Sequence, residues 1–273
     1  MSWLSKTLSS TIGRKLIMAI TGLFLVSFLF VHLIGNVALF YDDGGASFNK
    51  YSHFMSTAGI IRVLELVLVL GFGAHIWTSI QLTRLNKMAR PEGYAYELKP
   101  AKEVSWFSRN MGLSGSIVLI FLVTHLQNFY YRYHYEEIPY VVYAPAQLYP
   151  QAKNAPKEVV TSIDSVAGHT VLHVTQKQAE TIAPQLNTEA LKDMQQLVQE
   201  VFTKEWWFAI LYVVAMFLLG FHLNHGFQSA FRTLGLAHKK YTPFLTNLGG
   251  LISILVPAGF ASMPIYFLIK AFM

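Results

Sequence analysis

The stretch GRKLIMAITGLFLVSFLFVHLIGN, residues 13–36, decides the class of fold. After Lys15 no charged side chain occurs until Asp42, so the window Leu16–Phe40 is free of charge. A bilayer core about 30 Å thick is crossed by roughly 20 apolar helical residues, and this window is long enough. It is not a cleavable leader. It is too long, it ends in Gly35-Asn36 without a small-x-small cleavage site, and it carries His32 deep inside.

Outward from that window the pattern repeats. Met111–Tyr131, Trp206–Phe231 and Tyr241–Ile269 are also free of charge, and Val63–Leu82 holds one charge, Glu65. Backbone polar groups in hydrocarbon must satisfy one another within the segment, which makes these five spans helices. Pro257 and Pro264 predict kinks in the last. Charged residues make up 13% of the chain, about half the share of a soluble domain, and hydrophobic residues 53%. The expected fold is an all-α membrane protein, a five-helix bundle with one long loop segment. Residues 1–131 hold helices one to three, 132–205 form an extramembrane insertion, and 206–273 hold helices four and five. The chain has no cysteine, which excludes disulfides, thiolate zinc sites and iron–sulfur ligation by this chain.

The net charge of +6 points to membrane topology rather than nucleic acid, because of where the charges fall. Lys6, Arg14 and Lys15 precede the first span without an acid. The second connection carries Arg84, Lys87, Arg90, Lys99, Lys102 and Arg109 against three glutamates, and the fourth carries Arg232, Lys239 and Lys240. The opposite side has Asp42, Asp43 and the segment 132–205, with six basic and nine acidic residues. Positive charge marks the cytoplasmic side. The expected location is a bacterial inner membrane, with the N-terminus in the cytoplasm and the C-terminus outside. In the outer segment, tyrosines from Tyr130 to Tyr140 suit an interfacial belt. Residues 159–175 predict a hairpin around Ala167-Gly168, and 187–203 have helical spacing at Leu191, Met194, Leu197, Val198 and Val201. No chemistry is legible there.

The candidate site lies in the spans. Four of the five contain histidine: His32, His75, His125, and the pair His222 and His225. An ionisable side chain in hydrocarbon is costly and marks function more often than packing, although one histidine alone is as readily an interhelical hydrogen bond. Four on four helices suit axial ligation of two heme irons, two imidazoles each. Gly35, Gly71 and Gly226 lie three or four residues from His32, His75 and His222, on the same helical faces, where a flat macrocycle needs relief. The helical rise places His32 and His125 roughly 24 and 20 Å from the inner boundary, and His75 and His222 roughly 15 and 13 Å. These are two layers, an outer pair and an inner pair. His53, His134, His169, His173 and His238 lie at span ends or in the connections, where solvated or interfacial roles are expected.

The stretches 13–36, NKMARPEGYAYE (86–97), WFSRNMGLSGSIVLIFLVTHLQNFYYRY (106–133) and FHLNHGFQSAFRTLGL (221–236) together resemble the cytochrome b membrane subunit of succinate dehydrogenase and fumarate reductase. The resemblance is to the single-subunit, five-helix, di-heme type of bacteria that use menaquinone. It covers the five spans and not the segment 132–205. It implies two heme b groups held by His32, His75, His125 and His222. His222 is preferred to His225 because the family ligand stands four residues before a glycine. It further implies that a flavoprotein subunit with covalent FAD and an iron–sulfur subunit dock on the cytoplasmic side, where the basic loops offer a surface. This chain would not act on succinate itself but would pass electrons between the iron–sulfur subunit and quinone in the bilayer, in a complex that can oligomerise. Glu65, the one acid within a span, has Arg62 one turn away. It is expected either to form an ion pair at the helix start or to handle protons at a quinone pocket. Two other readings fit the histidines: a heme anchor for another dehydrogenase, and a heme-free proton-coupled transporter.

Overall fold

The computed structural model describes residues 3–89, 110–145, 162–166 and 169–273. Among these, five helical segments are long and apolar enough to cross a membrane: Thr11–Phe40, Gly59–Met88, Met111–Tyr135, Trp206–Thr233 and Thr242–Phe272. Each contains the window expected at its place, to within a residue. The chain is a multi-pass membrane protein. The basic residues Arg90, Lys99, Lys102 and Arg109 of the second connection lie outside the described residues.

The elements run α1 (Trp3–Ser9), α2 (Thr11–Asn36) with a 3-10 turn at Val37–Phe40, α3 (Ala46–Thr57), α4 (Gly59–Met88) and α5 (Met111–His125). A π-helical turn, Leu126–Tyr131, continues α5 into α6 (Arg132–Tyr135). Then come β1 (Tyr140–Pro145), β2 (Ser162–Val166), β3 (His169–Val174), α7 (Gln176–Gln185), β4 (Ala190–Lys192), α8 (Met194–Lys204), α9 (Trp206–Thr233) and α10 (Thr242–Phe272).

Contacts divide the chain into two compact units. The first comprises Met1–Leu33, Val63–Phe121 and Tyr212–Ser262; the second comprises Ile34–Arg62, Leu122–Leu211 and Met263–Met273. In the first, the backbones of α9 and α10 come close at Gly220. A Cβ on Gly220 would stand 2.7 Å from the Ser253 carbonyl oxygen. That oxygen is four residues before Pro257, which has no N–H to give it. α10 nonetheless runs unbroken through Pro257 and Pro264. Glycine opposite the freed carbonyl lets the neighbouring backbone come close, as small residues do between helices in membranes. One turn further along, Phe227 fills the space above Gly249.

In the second unit the segment 132–205 is not a loop. Among the described residues it forms, after α6, an antiparallel four-stranded sheet in the order β2-β3-β1-β4 with helices α7 and α8, so the all-α description holds only for the spans. The strand pattern of YVVYAP explains the layers. Alternate residues of a strand face opposite sides. Val142 and Ala144 join Leu172 and Val174 beneath Ala179, Ile182 and Ala183 of α7, whereas Val141, Val171 and Leu191 form a second cluster on the other face. A central strand with both faces covered needs apolar residues at every position. The expected hairpin is present as β2 and β3, with Val166 opposite His169 and the turn residues outside the described set.

The expected helix over 187–203 is corrected. Leu191 belongs to β4, paired with Val141, and the helix starts only at Met194. Asp193 sets that start: its Oδ1 accepts from the Gln196 N–H at 3.0 Å, an N-cap bond that ends the strand and begins the helix. α7 opens with a capping box in which Thr175 and Gln178 exchange side-chain and backbone bonds.

Candidate functional site: histidines of the spans

In the first unit His75 of α4 and His222 of α9 are brought together. Their ring centres are 6.4 Å apart with planes at 66°. Each ring is seated against a glycine of a third helix. A Cβ on Gly22 would lie 3.4 Å from His75 Cε1, and one on Gly115 would lie 3.2 Å from His222 Cε1. Any larger residue at either place would press on the imidazole.

The tautomer of His75 follows from its partner. Thr21 Oγ1 donates its hydrogen to the Ile17 carbonyl at 2.7 Å, so toward His75 Nδ1, 3.2 Å away, it can only accept. His75 therefore carries its proton on Nδ1 and leaves Nε2 with a free lone pair. Metal-bound imidazoles are oriented in this way, one nitrogen held by a neighbour and the other turned to the metal. His222 Nδ1 is buried without a hydrogen-bond partner among the described residues. A buried polar atom left in that state costs about 1–3 kcal/mol.

The spacing suits one iron between the two rings. Metal–imidazole bonds of about 2 Å, each extended by about 1 Å from nitrogen to ring centre, would set the centres roughly 6 Å apart. No group of three or more histidine, cysteine or acidic side chains that could hold a metal occurs among the described residues. Two imidazoles supply only two ligands, and the macrocycle of a heme is one group that would supply the others. The residues present fit the group.

His32 belongs to the first unit and His125 to the second. His32 stacks on Phe28 at 5.3 Å and 15°, and Phe260 of α10 lies 5.6 Å from it. His125 is the last residue of α5, directly before the π-helical turn, with Phe129 at 5.0 Å. Such turns insert one residue into a helix and recur at functional sites. His225 is half-buried one turn beyond His222. Glu65 is half-buried in the second turn of α4, and Arg62 is exposed.

The glycines expected to relieve a macrocycle do not share one role. A Cβ at Gly35 would collide with the Tyr51 ring, and one at Gly71 would stand 2.9 Å from Phe24, so those two faces are filled by protein. Gly226 has nothing within 4 Å. The glycines that do seat the imidazoles, Gly22 and Gly115, lie on neighbouring helices, and the sequence reading missed them together with Thr21. The only linear signal was a Thr-Gly pair inside an apolar span.

A second polar cluster lies in the sheet-bearing unit. His173 Nδ1 is 3.1 Å from Asp193 Oδ2 and its Nε2 is 3.2 Å from Asp164 Oδ2. Carboxylates on both sides of the ring favour the doubly protonated form. The hydrogen bond to Asp193 holds the His173 pKa above its usual value despite burial. Asp193 also accepts from Asn49 Nδ2 at 3.0 Å, and Asn49 Oδ1 accepts from the Gln195 N–H at 2.8 Å. Buried Asn49 thereby ties α3 to the start of α8. A cavity of about 1130 Å³ opens beside this cluster. It is a wide groove lined by carboxylates and lysines alike.

Comparison with protein-family models, with curated proteins and with solved structures finds no match to this chain.

Proposed function

We propose that this chain is a di-heme cytochrome b membrane anchor of the succinate dehydrogenase and fumarate reductase type. It would carry electrons between an iron–sulfur partner subunit and quinone, with menaquinone the expected carrier. The observation that supports this reading most is the inner pair. The ring centres of two histidines of different spans lie 6.4 Å apart, close to the separation that one iron between them would take, and Thr21 sets the tautomer of one. The resemblance carried by the stretches 13–36, 86–97, 106–133 and 221–236 supports the same assignment.

Heme bound there supplies a one-electron carrier within the bilayer. The chain's own residues hold and insulate it. His75 and His222 would hold it, Thr21 keeps the His75 proton on Nδ1, and Gly22 and Gly115 admit the rings close to neighbouring backbones. His32, with Phe28 and Phe260 against its ring, and His125, with Phe129 against its own, are the other two histidines the resemblance assigns to heme. Glu65 is assigned a place near the quinone, where a half-buried carboxylate can take up or release a proton. FAD and iron–sulfur clusters belong to the partner subunits, which dock on the basic face in the cytoplasm.

The test is spectroscopic. Dithionite should give a sharp b-type alpha band from the purified membrane protein, and a covalent flavin should copurify. His75→Ala and His222→Ala should each remove the same spectral component, His32→Ala and His125→Ala the other, and His225→Ala neither. A protein with no heme band refutes the reading; a heme band with no flavoprotein points to another dehydrogenase. Glu65→Gln should impair quinone-linked turnover and leave dye-linked succinate oxidation intact.

A further inference from the structure

The second unit contains a small pocket of about 240 Å³ where the end of α3, the first turn of α4, α6 and the β1–β4 edge meet. Four of its lining residues carry or can carry positive charge: His53, Arg62, His134 and Lys192. No carboxylate lines it. Hydroxyls complete the wall, with Ser56 Oγ and Tyr133 Oη 3.1 Å apart.

Lys192 shows that this charge is built in. Its Nζ donates to the Tyr133 carbonyl oxygen at 2.6 Å and lies 5.2 Å from the centre of the Tyr133 ring. It has no carboxylate partner among the described residues. Burial lowers its pKa, as expected of an ammonium partly withdrawn from water without a counter-charge. A carbonyl and a ring face fix its position but do not neutralise it. Two further N–H bonds of the ammonium remain to be offered.

Position and size select the occupant. Arg62 lies in the first turn of one apolar span and His134 in the last turn of another, at the level where lipid headgroups stand. Around the pocket, Ile60, Tyr131 and Tyr135 are exposed, so apolar surface continues beyond the charged mouth. Drug-sized ligands occupy roughly 300–1000 Å³. This pocket is smaller and admits a headgroup, not a whole cofactor.

We propose that the pocket binds the phosphate of an anionic phospholipid, with Arg62 and Lys192 as its principal donors and His53 and His134 beside them. Arginine and lysine both suit phosphate oxygens, and charge-assisted bonds to them are the strong class. A zwitterionic lipid brings its own cation into a site already rich in cations and is disfavoured.

The test is lipid titration of the delipidated, intact complex in detergent, followed by native mass spectrometry and thermal denaturation. Phosphatidylglycerol should bind and raise the melting temperature, and phosphatidylcholine should bind about tenfold more weakly or worse. Arg62→Gln and Lys192→Met should each weaken phosphatidylglycerol binding by about tenfold. Lys192 also holds the Tyr133 carbonyl, so its variant is read only if its melting is cooperative, and otherwise the exposed Arg62 decides alone. Equal binding of the two lipids overturns the proposal, as does unchanged affinity in Arg62→Gln. Protection by millimolar inorganic phosphate without protection by lipid overturns the lipid assignment.

Discussion

Asp193 joins three elements through one carboxylate, and two substitutions separate its roles. Asp193→Asn keeps an N-cap, since asparagine caps as well as aspartate, and an amide oxygen can still accept from Asn49 and Gln196. What it removes is the negative charge facing His173. Asp193→Ala removes everything. The lost cap costs about 1 kcal/mol. The lost charge-assisted bond to His173 costs about 1.5–3 kcal/mol, and the stranded amide of buried Asn49 costs about 1–3 kcal/mol. These share one carboxylate and do not add, so about 3–4 kcal/mol is expected. The pH dependence supplies the second readout. Because the folded pKa of His173 is raised, its contribution is fully present below the unfolded value near 6.5 and is lost as pH rises through the folded pKa. Denaturant unfolding of the full chain in detergent should therefore show stability falling from pH 6 towards pH 8.5 in the parent protein. The fall should be smaller in Asp193→Asn. A parent-like pH dependence in Asp193→Asn, or a loss below about 1 kcal/mol in Asp193→Ala, would refute the bridging role.

Other outcomes follow from single contacts. Thr21→Val removes the acceptor on His75 Nδ1 and should weaken heme retention by about 10–100-fold in extraction assays, whereas Ser27→Ala, whose hydroxyl bonds only the Phe24 carbonyl, should not. Gly220→Ala presses a methyl on the Ser253 carbonyl and should destabilise α9–α10 packing by about 1–3 kcal/mol in thermal melts, while Gly250→Ala, with nothing within 4 Å, should be silent. Cysteines at exposed Lys177 and Lys239 should label from opposite sides of sealed cells.

The spans were legible because the bilayer imposes a one-dimensional rule: enough consecutive apolar residues to cross, with charge confined to the ends. Sequence alone therefore placed five helices and singled out the histidines within them. The rise along each helix set His75 and His222 at similar depth, since depth is a property of one chain segment and a fixed 1.5 Å step. Which face of each helix meets which neighbour has no such rule. Apolar residues surround these helices on every side, so no amphipathic stripe points to a partner. Only the tertiary structure brought Thr21, Gly22 and Gly115 to the two imidazoles, and only it showed Gly35 and Gly71 covered by Tyr51 and Phe24. In the segment 132–205 the local alternation disclosed one hairpin. The central strand β1, apolar at successive positions because both faces are covered, has a pattern that sequence periodicity cannot tell from buried helix. Leu191 was drawn into a helical spacing for the same reason. Its place in β4 is fixed by the pairing with Val141, a contact between residues far apart in the chain.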